Sequence, residues 1–238
     1  MYKDNPKTKG SGVLCAIPQT GVCPVDCEDC FFQSGRSYLE PLDENLPNVP
    51  TPSYANGFVV RMNDGNDSNV DRAAVLASAK QYGEVFFNTS ITSNIADFPG
   101  PVVLTINPSD MTDKAFHQLD PVPRNLMFVR FRTNMWNLDL LDQAVEMYTE
   151  QDVPVVLTFM AYYNMAVDER FKSSYSFRKR TINSYWVLNT DAWDSVVERY
   201  KTNKYVYTCG KDATTSGCKY CGTCLREYYA TKAWIAGL

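Results

Sequence analysis

Histidine is nearly missing from this chain, with one residue, His117, among 238. That scarcity excludes Ser-His-Asp and Cys-His hydrolytic sites unless His117 serves them, and no GxSxG-type elbow accompanies it. Zinc enzymes built on several histidines are excluded too. Neither GxxxxGK followed by Ser or Thr nor GxGxxG occurs, so nucleotide binding has no support. A charge excess is also lacking. Lys and Arg number 23 against 27 Asp and Glu, a net charge of −4 with no basic block. Affinity through phosphate neutralisation is therefore not expected, and nucleic acid is not indicated as a partner. No window approaches the roughly 18 apolar residues of a membrane span. The opening MYKDNPKTKGSG is polar and leads into no apolar core of signal-peptide length. The expected location is cytoplasmic, with no membrane partner.

Against these absences stand eight cysteines. In a reducing compartment, clustered cysteines point to metal before disulfides. Cys15, Cys23, Cys27 and Cys30 lie near the start and Cys209, Cys218, Cys221 and Cys224 near the end, with none between. Two metal sites are the economical reading.

The intervening chain reads as α/β. Apolar runs recur at SGVLCAIP, FVVRM (58–62), EVFFNTSI (84–91), VVLTINP (102–108), NLMFVRFRT (125–133) and VPVVLTFMAY (153–162). They are apolar throughout, as strands of a parallel sheet covered on both faces should be. Ser68 is the expected cap of a helix ending at Gly83, Asn137 the cap of LDLLDQAVEMYTEQ, and DAWDSVVERY a further helix. Six strands in βα order predict an α/β sheet, open or rolled into part of a barrel. Ligands of such sheets sit at the strands' carboxyl ends. There stand Asn63 and Asp64, Asn88, Thr105 and Asn107. Arg130 and Arg132, two apart on one apolar strand, share a face that must be wet or paired.

CPVDCEDC offers Cys23, Cys27 and Cys30, three ligands rather than the four that close an iron–sulfur cubane. A CxxxCxxC loop after the first strand of a six-strand α/β chain resembles the radical S-adenosylmethionine (radical SAM) superfamily. The resemblance covers about residues 13 to 165 and implies a partial (β/α)6 barrel. It implies a 4Fe-4S cluster on Cys23, Cys27 and Cys30 whose open iron is chelated by S-adenosylmethionine, and a 5′-deoxyadenosyl radical that abstracts hydrogen from the substrate. By the same resemblance, Asn63, Asp64 and Asn66 are candidates for the cofactor's amino group. Arg130 or Arg132 is the candidate for its carboxylate, and Asn88, Thr105 and Asn107 for its ribose. A small-molecule or peptide substrate and an external electron donor such as flavodoxin or ferredoxin would be the partners. The chain departs from the family at Asp29, where an aromatic residue is usual and Phe31 and Phe32 follow instead. It departs again at Asn63-Asp64-Gly65-Asn66-Asp67, where relatives carry Gly-Gly-Glu.

Cys15 has two readings, a small core residue or the fourth ligand of a closed cluster. In the latter case the chain is an electron carrier. The second set, CGKDATTSGCKYCGTC, places Cys209, Cys218, Cys221 and Cys224 for a second 4Fe-4S cluster or for tetrahedral zinc, the latter allowing a zinc-stabilised binding module. The expected organisation is a polar arm (1–12), a barrel-like domain (13–165) and a small metal-binding extension (166–238).

Overall fold

A computed structural model describes residues 1–27, 30, 32–33, 37–108, 116, 118–163, 167–181, 184–215 and 217–237. Asp29, Phe31 and His117 lie outside the described residues. The chain order is β1 (Val13–Ala16), α1 (Leu42–Asn45), α2 (Pro52–Ala55), β2 (Val59–Met62), α3 (Arg72–Ala79), β3 (Val85–Thr89), β4 (Val102–Ile106) and β5 (Leu126–Thr133). Then follow α4 (Leu138–Thr149), β6 (Val155–Phe159), β7 (Tyr162–Tyr163), β8 (Tyr175–Arg178), β9 (Tyr185–Leu188), α5 (Thr190–Arg199), β10 (Val206–Thr208), α6 (Cys218–Cys221) and α7 (Thr223–Ala236).

Seven strands form one sheet in the order β1-β2-β3-β4-β5-β6-β10, and each pairs in parallel with its neighbours. The strand order never reverses, so right-handed crossovers carry the connecting helices to one face. On that face Val75 and Ala79 of α3, Leu141 and Tyr148 of α4, and Val196 of α5 pack in one cluster with Val60, Phe87 and Val129. Each fully buried aliphatic side chain there contributes about 1.5–3 kcal/mol.

Alternate strand positions point to the opposite face. It carries Val13, Val59, Phe86, Val103, Phe128 and Val156, and Tyr228 of α7 is buried among them with Leu225 and Cys224 alongside. The last helix of the chain thus covers the first strand. At the edge, β10 extends the six-strand arrangement by pairing with β6, Thr208 opposite Leu157. A separate antiparallel sheet, β7-β9-β8, stands beside an aromatic cluster of Trp136, Tyr162 and Tyr175.

Two helix starts differ from the sequence expectation in an instructive way. Asp71, not Ser68, caps α3, accepting from the Ala74 N–H. Ser68 is fully buried and holds the Asn63 amide instead. Asn137 does precede α4, but its side chain serves the tertiary fold. Its Nδ2 donates to the carbonyls of Pro108 and Arg132, tying the ends of two strands together.

Candidate functional site

Strand polarity brings the loops after β1, β2 and β3 to one end of the sheet, and short polar side chains fasten them there. Asn63 adopts a left-handed conformation, φ 62°. Asparagine tolerates that region better than most residues. Its N–H donates to the Ala16 carbonyl and its own carbonyl accepts from Asn88 Nδ2 at 2.8 Å, so β1, β2 and β3 are linked at their ends. Asp67 fastens the next pair of loops. One carboxylate oxygen accepts from the Asn69 N–H and the Thr89 hydroxyl, the other from the Ser90 N–H and hydroxyl at 2.6 and 2.9 Å. Phe32, just beyond the cysteines, is buried against Gly65. A Cβ at Gly65 would fall 1.9 Å from the Phe32 ring. That contact sets the cysteine loop on the β2 loop.

Within this frame Cys23, Cys27 and Cys30 are half-buried. Burial pushes the Cys23 and Cys27 thiols above their ordinary value. At Cys27 the neighbouring Cys30 raises it further, while the Ser90 hydroxyl and the Arg132 guanidinium favour the thiolate. Asn107 Nδ2 lies 3.8 Å from Cys27 Sγ. Among the described residues, no group of three or more His, Cys, Asp or Glu side chains stands at metal-ligating geometry. The donor chemistry nonetheless fits an iron–sulfur cluster, since three thiols share one loop at the carboxyl end of the sheet.

The other candidates divide. Asn63 and Asn88 each keep a buried Oδ1 without a hydrogen-bond partner among the described residues. Such orphaned acceptors are costly and usually answer to a ligand or water. Asn66 is committed, its amide donating to the Gly21 carbonyl and its Oδ1 accepting from the Asp67 N–H. Asp64 is buried among Arg61, Asn5 and Tyr38, with the Asn5 amide at 2.6 Å and the Tyr38 hydroxyl at 3.2 Å. Thr105 is half-buried opposite Arg130 across the β4–β5 pair. Arg130 and Arg132 share a face as expected, but they serve different neighbours. The charge of Arg132 favours the Cys27 thiolate, and that of Arg130 the Cys209 thiolate.

Cys15 lies wholly inside, and it is more than a packing residue. Arg61 Nη2 is 3.1 Å from its sulfur, and Thr8 and Tyr2 close around it. Burial drives its thiol far up despite Arg61. Of the C-terminal cysteines, Cys224 packs on the face that α7 covers, and Cys221 Sγ lies 3.5 Å from the Thr208 carbonyl at the end of β10. Cys209 continues β10, its N–H bonded to the Leu157 carbonyl. Cys209 is exposed as a residue, yet desolvation around its sulfur pushes the thiol up to about 11 against the pull of Arg130, and Cys224, Cys218 and Cys221 add to the rise. The Cys218 N–H reaches the Lys7 carbonyl, and Cys221 Sγ lies 3.1 Å from the Thr223 hydroxyl.

Sequence reading passed over Arg61, Asp67 and Ser90. Arg61 carried a usable signal, an isolated cation within the apolar run FVVRM, the same signal that singled out Arg130 and Arg132. Asp67 and Ser90 carried none, because acceptors in a polar loop are commonplace.

Among the described residues no helix is long and apolar enough to cross a membrane. No family model, no curated protein and no solved structure matches this chain.

Proposed function

We propose that this chain is a radical SAM enzyme, a partial (β/α)6 barrel with a second metal site at its C-terminal cysteines. One observation carries the reading. The loop with Cys23, Cys27 and Cys30 follows β1 at the carboxyl end of a sequentially ordered parallel sheet, the same end at which Asn63 and Asn88 keep orphaned Oδ1 atoms. Thiols for a cluster and unpaired acceptors for an ammonium or a ribose hydroxyl then share one end of the sheet.

A 4Fe-4S cluster on those cysteines would supply an open iron for S-adenosylmethionine. One electron from a flavodoxin- or ferredoxin-type donor would cleave the sulfonium to methionine and a 5′-deoxyadenosyl radical that takes a hydrogen atom from the substrate. The chain's residues would orient and exclude water. Asn63 Oδ1 would accept from the cofactor's amino group and Asn88 Oδ1 from its ribose. Arg132 is the better candidate for its carboxylate than Arg130, because its charge acts on Cys27 while that of Arg130 acts on Cys209. Asp64 would act through Arg61 and Tyr38, and Asn66 through the loop it braces. Small molecules and peptides remain the substrate classes.

The alternative electron carrier needs Cys15 as a fourth ligand. The test is electron paramagnetic resonance of anaerobically reconstituted, dithionite-reduced protein with and without S-adenosylmethionine, in the natural chain and in Cys15→Ala. The expected result is a cluster signal that S-adenosylmethionine perturbs and that survives Cys15→Ala. A signal indifferent to the cofactor and abolished by Cys15→Ala would establish the carrier. Colourless protein that retains zinc would establish the binding module.

A further inference from the structure

The strand register sets two cations at the C-terminal cysteines. On the face that α7 covers, Cys224, Leu225 and Tyr228 pack against Val13, Val59 and Phe128. The next position on that face of each strand, two residues on, is Cys15 on β1, Arg61 on β2 and Arg130 on β5. Arg61 and Arg130 therefore lie directly along the sheet from the residues that seat Cys224. We infer that Arg61 and Arg130 are the counter-ions of a metal centre formed by Cys209, Cys218, Cys221 and Cys224, holding it on the sheet face that α7 covers. The inference rests on one half of the proposed reading, that these four cysteines bind metal.

Charge balance supplies the reason. Four thiolates around a zinc ion or a doubly positive iron–sulfur core leave a net charge of about two negative units. A partly buried charge of that size needs partners. Arg61 is a buried cation whose one carboxylate partner among the described residues, Asp64, stands at 3.7 Å and is shared with Asn5 and Tyr38. Burial works against its charge, while Cys15, Asp64, Cys224 and Cys218, in that order, favour it. Arg130 takes part in no ion pair among the described residues, and its charge favours the thiolates of Cys209 and Cys218. Both cations stand on the sheet face that Cys224 packs against, Arg61 on β2 and Arg130 on β5. Loading the centre would thus draw β10, α6 and α7 onto β2 and β5 together.

The test isolates this centre by replacing Cys23, Cys27 and Cys30 with alanine in the full chain and using Zn2+ alone as the probe. Stoichiometry and chelator competition then report on the C-terminal site without reference to S-adenosylmethionine, so failure of the radical reading and failure of this one give different results. One zinc per chain is expected. Arg130→Gln should weaken its retention about 10- to 100-fold, the usual cost of losing a group that supports metal ligands. Arg61→Gln alone strands Asp64, so the informative variant is Arg61→Gln with Asp64→Asn, which should weaken retention by a similar factor. Arg61→Lys and Arg130→Lys keep the charge and should stay closer to the parent. Parent-like zinc affinity in both glutamine variants, with circular dichroism unchanged, overturns the inference. So does a parent that binds no zinc.

Discussion

At the scale of single residues, the contact between Gly65 and Phe32 decides how the cysteine loop is carried. Gly65 has no need of an unusual backbone angle; its requirement is steric, because the Phe32 ring occupies the place of a Cβ. Gly65→Ala must push Phe32 out or shift the β2 loop, and overpacking of this kind costs about 1–3 kcal/mol. The expected result is a lower thermal midpoint together with faster labelling of Cys23, Cys27 and Cys30 by a thiol reagent. Adding Phe32→Leu to Gly65→Ala should recover part of the midpoint by making room. A midpoint unchanged by Gly65→Ala would mean that the two loops are not seated on each other. The sequence made both residues visible, one as a glycine in the polar loop after β2 and the other as an aromatic just after Cys30. Their contact was not visible, because it joins positions 33 apart through a fold that no local pattern specifies.

At the scale of elements, α7 is held by a polar latch at the foot of the sheet. Lys232 Nζ lies 2.6 Å from Glu84, and the Tyr228 hydroxyl donates to the same carboxylate. These bonds, that from Lys232 first and that from Tyr228 second, hold the Glu84 carboxyl below its ordinary 4.5. A depressed folded value means the stabilisation is complete above pH 4.5 and fades as pH falls through the lower folded value. Glu84 is partly exposed, so solvent screening limits the pair to about 0.5–1 kcal/mol. Glu84→Gln should lower the unfolding free energy by that amount at pH 7. It should also flatten the loss of stability below pH 4.5, which a urea titration at several pH values reads directly. Strands β1 to β6 were legible because each is an apolar run bounded by turn residues, and α4 because its apolar positions recur at helical spacing. Strand β10 was not, since VYT is three residues long and half-exposed, and only its pairing with β6 makes it a strand. The cap of α3 was misread because Ser68 and Asp71 are both acceptable caps locally, and the choice falls to the buried amide of Asn63 that Ser68 must satisfy.

Across the whole molecule, the first and last segments are bound to each other. Residue Val13 packs in the cluster of Tyr228, the Lys7 carbonyl holds Cys218, and Leu225 approaches Gly12. The face that α7 covers is closed only when the end of the chain returns to its beginning, a contact of large sequence separation with a correspondingly large closure entropy. A metal on Cys209, Cys218, Cys221 and Cys224 would offset that cost, because it binds the closed arrangement and not the open chain. Linkage fixes the size of the effect: free zinc at about 100 times its Kd adds ~2.7 kcal/mol to the stability of the folded state. In the chain lacking Cys23, Cys27 and Cys30, the urea midpoint should therefore climb with the logarithm of free zinc. Replacing Cys218 and Cys221 with serine should abolish the climb. Tyr228→Ala separates packing from metal in the same measurement. Removing a buried aromatic costs about 3–5 kcal/mol, so the midpoint should drop at every zinc concentration while its slope against zinc persists. If the slope vanished with Tyr228 instead, the helix would be forming the metal site rather than being held by it.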